Sequence, residues 1–204
     1  GLATTPIIDY RAYSDDRENG DIHVRYHSFT VRERLMKANG YADNHVMFVE
    51  DDRYGLYSSQ SPVLQQALLE MDQWLANLSE DGSDDTLIER VVRARPASLV
   101  DSCWSRDENA ERIVETQVRG EGHCEELYPS SPSPREVAGS PLVSNVIKCQ
   151  LKAVDVSDYA APFTDVEVER LREIFPNGVC DWTQPGVGQT GLKGTWLNFG
   201  TTMH

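Results

Sequence analysis

The first half of the chain has a readable rhythm of apolar and polar positions, and the second half largely loses it. Residues 5–13, TPIIDYRAY, are led by a proline and rich in β-branched and aromatic side chains, which predicts a buried strand. The polar run SDDRENGD follows as a loop. From Ile22 to Ala38 the apolar residues Ile22, Tyr26, Phe29, Leu35 and Met36 fall near helical spacing, and Asn39 with Gly40 closes the helix. HVMFVE, residues 45–50, predicts a second strand. Strand, helix and strand in so short a span make the βαβ unit of a parallel sheet.

SPVLQQALLEMDQWLANL, residues 61–78, predicts a long helix with Ser61 as N-cap and Pro62 at the first helical position. Its stripe is Leu64, Leu68, Met71, Leu75 and Leu78, and EDGSDD ends it. A shorter helix over 85–94 takes Asp84 as cap and Leu87, Ile88 and Val91 as its apolar face. After Pro96 the pattern breaks up, and YPSSPSPREVAGSP, residues 128–141, has the composition of an extended linker. LVSNVIKCQL, residues 142–151, predicts a late strand. Thr164 and Glu167 form a capping box for a last helix to about Phe175. In the Gly-rich tail Trp182 and Trp196 are the expected anchors.

Charge narrows the possible partners. With 19 Lys and Arg against 33 Asp and Glu, the 204-residue chain carries a formal net charge of −14. Such a surface repels phosphate backbones and anionic lipid, so neither nucleic acid nor a membrane surface is an expected partner. No apolar run approaches the roughly 18 residues that span a bilayer. Gly1 leads almost directly into what reads as an interior strand, without Met or signal peptide. The expectation is a processed chain or the C-terminal part of a longer one. Cys103, Cys124, Cys149 and Cys180 contain no CxxC pair, so two disulfides in an exported protein are expected rather than structural zinc. Three pairings are open.

The candidate chemistry gathers after the first strand. Asp15 and Asp16 follow its C-terminal end, the edge at which parallel α/β sheets collect ligands and catalytic groups. A carboxylate there orients a histidine and stabilises its imidazolium. His23, at the start of the expected helix, is the partner in reach of Asp15 or Asp16. His23 and His27 are spaced i, i+4 on one helix face, but HVRYH lacks the glutamate of HEXXH and no third ligand is evident. No metal or cofactor is expected. His45 opens the second strand at the opposite edge and reads as structural, whereas His123, beside Cys124 in GEGHCEELYP, is the second candidate base. GVGQTG, residues 186–191, has the letters of a dinucleotide loop without its strand and helix, and NLS, residues 77–79, is a glycosylation sequon by pattern alone. No G-x-S-x-G segment is present to supply a nucleophile elbow.

Taken in order, these segments resemble the C-terminal portion of secreted α/β-hydrolases of the tannase/feruloyl-esterase family, and more closely a little-characterised family of exported hydrolase-like proteins. YRAYSDD stands where the first family has an acid-bearing hGwaDp segment, which aligns Asp15 with the acid. ALLEMDQWLANL resembles the al..WVE helix, CEELYP and VIKCQL resemble the C.YP and F.C segments, and GVCDW matches the closer family's tail. The resemblance implies an α/β fold in two parts. Residues 1–96 would be the C-terminal part of the hydrolase core, a parallel sheet with flanking helices. Residues 97–204 would be a loop-rich, disulfide-stapled extension packing on it. By the same analogy Cys124 pairs with Cys149, which leaves Cys103 for Cys180. The family's catalytic histidine, in an HC motif, has no counterpart in EDDRYGLYSSQSP.

Two functions from different classes follow. One is a secreted or periplasmic serine-type carboxylic-ester hydrolase acting on a small ester. This chain would supply Asp15 and His23 or His123, and the serine would lie in a missing N-terminal segment or on a second chain. The other is a non-catalytic accessory or degenerate hydrolase-like chain acting in binding or assembly.

Overall fold

The computed structural model describes residues 2–191, so the expected anchor Trp196 lies outside the described residues. Two compact units divide between Val137 and Ala138.

The first unit is built on a four-stranded sheet in the order β1 (Ile7–Tyr13), β2 (His45–Asp51), β3 (Ser102–Trp104), β4 (Arg112–Val114). β1, β2 and β3 are parallel and β4 is antiparallel. The register of β1 on β2 runs from Ile7 opposite His45 to Tyr13 opposite Asp51, so both strands end at the same edge. The expected boundary near residue 96 falls inside this unit, because β3 and β4 complete its sheet. Among the described residues, β1 forms an edge and pairs on one side only.

β2 is buried on both faces, as a central parallel strand must be. Val46 and Phe48 point to a cluster with Val63, Ala67, Trp74, Val91, Leu99 and Trp104. Val49, of opposite parity, joins Tyr13, Cys103, Cys124 and Tyr128. α1 (Tyr26–Asn39) links β1 to β2 and stops at Gly40, whose φ of 79° suits a left-handed C-cap. It begins four residues later than its periodicity predicts, because residues 21–25 are tied into a turn by side chains of the preceding loop.

α2 (Pro62–Glu80) starts where Ser61 and Pro62 predict, with Ser61 Oγ accepting the Leu64 N–H at 2.9 Å. Its buried face is Val63, Ala67 and Trp74, not the leucine stripe; Leu68 and Leu75 are 63% and 49% exposed. The indole decides the orientation. Trp74 is fully buried and its Nε1–H donates to the Val91 carbonyl at 2.8 Å, joining α2 to α3 (Leu87–Ala94). The cap of α3 is Thr86, in a capping box with Glu89, rather than Asp84. Asn77 of the sequon donates its Nδ2 to the Ala94 carbonyl at 2.9 Å, so its amide is already committed between these helices.

α4 (His123–Leu127) and α5 (Pro134–Val137) close the first unit. In the second, β5 (Gln150–Lys152) pairs antiparallel with β6 (Val179–Asp181), and α6 (Asp165–Ile174) carries the expected box of Thr164 and Glu167. Only the last two residues of the run expected as a strand at 142–151 pair, and β6 carries no sequence signal long enough to predict it. Trp182 is the anchor expected of it, its Nε1–H donating to the Ala138 carbonyl at 2.8 Å.

Two disulfides form, but the pairing is Cys103–Cys124 and Cys149–Cys180. Each joins residues of one unit, with Cα atoms 5.7 Å and 5.4 Å apart, and that proximity overrides the pairing implied by analogy. Closing loops of this length is worth roughly 3–4 kcal/mol each in the chain-entropy model. Peptide mapping without reduction is expected to recover a peptide pair spanning Cys103 and Cys124 and another spanning Cys149 and Cys180. A Cys124–Cys149 pair would show this geometry to be wrong.

Candidate functional site

The loops after β1 and β2 meet at the shared edge of the sheet, and Arg17 ties them together. Its Nε donates to Asp52 Oδ2 at 2.7 Å and its Nη1 to Asp21 Oδ2 at 2.7 Å. The other oxygen of Asp21 accepts the His23 backbone N–H at 2.7 Å and faces the ring Nδ1 at the same distance. That N–H, then the ring and Arg17, hold the Asp21 carboxyl below the usual carboxylate range. A carboxylate on Nδ1 selects the tautomer whose basic nitrogen is Nε2, the arrangement that base catalysis by histidine needs. The ring is 42% exposed, and Tyr57 stands edge-on to it with centroids 6.0 Å apart. Tyr57 lies in the loop after β2 at φ 56°, in the left-handed region that a non-glycine residue occupies at a cost. It is 59% exposed there.

Asp15 has different work. Its Oδ1 accepts the Arg25 N–H at 2.7 Å and its Oδ2 the Ser131 N–H at 3.1 Å, so it pins the start of α1 to the 131–134 loop. Asp16 is exposed and pairs with Arg106 at 2.7 Å. Arg106 also reaches Asp51 and lies over the Tyr13 and Tyr128 rings.

Beneath this corner is the buried guanidinium of Arg25, 2% exposed. It donates to Glu125 Oε2 at 2.5 Å, to Gln117 Oε1 at 2.7 Å and to the carbonyls of Cys124 and Tyr128, and it lies over the Phe29 ring. Burial pulls its pKa down, and Glu125 opposes the shift. Gln117 in turn donates to the Met47 and Ser102 carbonyls, both at 2.9 Å, and so joins this centre to β2 and β3.

Against this geometry, residues 1–191 match the Tannase-like family of unknown function (DUF6351). The chain belongs to this tannase-like family. No curated protein and no solved structure matches the chain.

In this tannase-like chain the sequence candidates separate. His23 precedes α1 instead of lying on it, so it does not share a helix face with His27. His27 is in the first turn of α1, its ring against Tyr26 with centroids 4.1 Å apart. His45 is buried at the far edge, its Nδ1 facing Arg32 Nε at 3.3 Å and its Nε2 3.7 Å from Asp9. His123 opens α4 and is 56% exposed, with Nδ1 3.2 Å from Glu126. Among the described residues no group of three or more His, Cys, Asp and Glu could hold a metal ion. Sequence reading missed Asp21, Arg17, Arg25 and Tyr57. Asp21 carried a signal, since an aspartate two residues before a histidine can cap that residue's N–H in an Asx-turn. Arg25 and Tyr57 carried none, because their partners are distant in sequence.

Two measurements probe this site. Arg25→Ala leaves Glu125 largely buried without its cation and is expected to cost roughly 3–5 kcal/mol in chemical denaturation; a loss below about 1 kcal/mol would contradict the network. The second concerns His27, whose pKa is lowered by burial and then by Arg11. Its folded-state pKa lies below the unfolded value of about 6.5, so the unfolded chain takes up the proton first. Stability is therefore expected to fall as pH drops through that value. His27→Phe should flatten that slope when urea midpoints are compared across the range.

Proposed function

We propose that this chain carries the acid–base corner of an exported carboxylic-ester hydrolase of the α/β-hydrolase type. His23 would be the proton carrier and Asp21 the carboxylate that orients it. The observation that carries the reading is the imidazole held through Nδ1 by a carboxylate at the edge where parallel sheets place their catalytic groups. Membership of a tannase-like family and two disulfides support the ester chemistry and the exported setting. The nucleophile would come from a preceding segment or a second chain, and the one-sided pairing of β1 among the described residues leaves an edge on which the sheet could continue.

In that reaction a serine hydroxyl attacks the ester carbonyl and gives its proton to His23 Nε2. The carbon–oxygen bond to the alcohol then breaks, the imidazolium returns the proton to the leaving oxygen, and the acyl group stays on the serine. Water repeats the sequence and releases the acid. Asp15, holding Arg25 and Ser131, would position the loop rather than the ring.

The accessory reading remains the second. What favours it is the loop after β2, residues 52–61, which contains no histidine where the resembled family has one.

The test uses native material with all its co-purifying chains and a short-chain aryl ester. His23→Ala and Asp21→Asn are each expected to lower turnover by roughly 10²–10⁴-fold, with the double variant scarcely worse. Asp16→Asn should leave it nearly unchanged, and the chain purified alone should be inactive. Loss with His123→Ala but not His23→Ala moves the base to the GEGHC loop. If no variant matters, the accessory reading holds.

A further inference from the structure

The leucine stripe of α2 that the core leaves unused is an apolar face without a cover among the described residues. Leu64, Leu68, Met71 and Leu75 follow one another at steps of four, three and four, the spacing of a helix–helix seam. Leu68 and Leu75 are exposed, while Leu64 and Met71 are half-buried. The other flank of α2 is occupied. Trp74 and Asn77 bond to α3 there, and Glu70 Oε2 accepts the Ser98 hydroxyl at 3.1 Å. The Ser98 carbonyl accepts from Arg112 of β4 at 2.8 Å, which puts that flank towards the β3–β4 side of the sheet. The stripe lies roughly a third of a turn away round the helix, on the side where the sheet ends at β1. Ile8 and Tyr10 of β1 pack on the same cluster as α2 and are only partly buried. Helix flank and edge strand therefore form an open corner with apolar side chains on both walls.

We infer that this corner is an interaction surface for one amphipathic α-helix of another polypeptide, with Lys or Arg beside its apolar stripe. The inference does not depend on the hydrolase reading.

The shape of the corner favours a helix. Parallel sheets carry helices on both faces, and among the described residues the β1 end of this face has none beyond α2. A second helix laid beside α2 would set its own apolar stripe among those four side chains and rest on Ile8 and Tyr10. Charge selects the sequence of that helix. Residues 62–80 contain Glu70, Asp72 and Glu80 and no Lys or Arg. Asp72 is exposed on the outer margin of the stripe, and among the described residues no cation pairs with it. A cationic flank on the partner meets this acid, and an acidic flank is repelled by it. A second copy of the chain fits less well. Two helices without a basic residue would then face each other, each in a chain of net charge −14.

The test titrates the full chain into a trace of a fluorescein-tagged helical peptide with Leu at its a and d positions and Lys at e and g. A twin peptide carries Glu at e and g. Anisotropy at about 0.15 M salt, where surface charge is screened beyond roughly 8 Å, reads the binding. The Lys peptide is expected to bind saturably, and the Glu twin about tenfold more weakly or worse. The double variant Leu68→Gln with Leu75→Gln removes two exposed leucines from the seam without changing the charge. It should stay folded by circular dichroism and bind the Lys peptide at least about tenfold more weakly. Asp72→Asn should weaken it by roughly 2–5-fold, the size of one surface ion pair. The Met71 methyl signal should shift on binding in NMR spectra of the unaltered chain. Binding that survives the double variant would be general adhesion to an acidic protein and would overturn the inference. Equal binding of the two peptides, or none by either, would do the same. A dimer of the chain in sedimentation that the double variant dissociates would give this face to a second copy, against the inference.

Discussion

A guanidinium 2% exposed to solvent has lost its hydration and must replace it with fixed partners. Arg25 does so with Glu125, Gln117 and two carbonyls of the α4 turn, while its own N–H is taken by Asp15. One residue thus joins the loop after β1, the start of α1, the Cys124 disulfide and, through Gln117, strands β2 and β3. The desolvation cost of such a centre is several kcal/mol per ion, and only full satisfaction of the group offsets it. The arrangement is therefore specific: a shift of any one of these segments strands a charge. The half-buried pair of Asp21 and His23 lies just before this residue in the chain, next to that fixed centre.

That fixed centre matters because the upper layer of the site is exposed. Surface ion pairs such as Arg106 with Asp16 contribute little individually. Geometry at the sheet edge instead comes from below, from Tyr13 donating to the Pro129 carbonyl and Tyr128 donating to the Trp104 carbonyl. The two tyrosines lie against each other with centroids 5.2 Å apart and carry Arg106 on their rings. Polar tips anchored to backbone and apolar bodies packed together let a loop-rich region hold a fixed shape.

The βαβ unit was legible in the sequence because each of its elements is marked locally, by the continuous apolar run of β2 and by Asn39 with Gly40 after α1. Caps were half legible. Ser61 and Thr164 sit immediately before their helices, whereas the acidic run before α3 offered several caps, and the capping box with Glu89 chose Thr86. The leucine stripe of α2 misled because Trp74 is larger than any one leucine and its indole N–H needs a buried acceptor, so the tryptophan sets which side faces the core. The second half resisted because three-residue strands carry no period. At the candidate site, the sequence named the loop after β1 and His23, and in the structure that ring faces Asp21 instead of Asp15 or Asp16. Sequence reading paired that histidine by position along a strand, and the short-range turn that joins it to Asp21 is a matter of backbone conformation that position does not reveal.

The two disulfides have a topological consequence. Neither loop that they close crosses the boundary after Val137, so the backbone is the one covalent connection between the two units. Backbone cleavage in the stretch between Val137 and Cys149 would leave two polypeptides with no covalent link between them, each still carrying its own crosslink. Oxidation therefore secures the shape of each half, while their remaining in one molecule depends on the survival of an ordinary peptide segment.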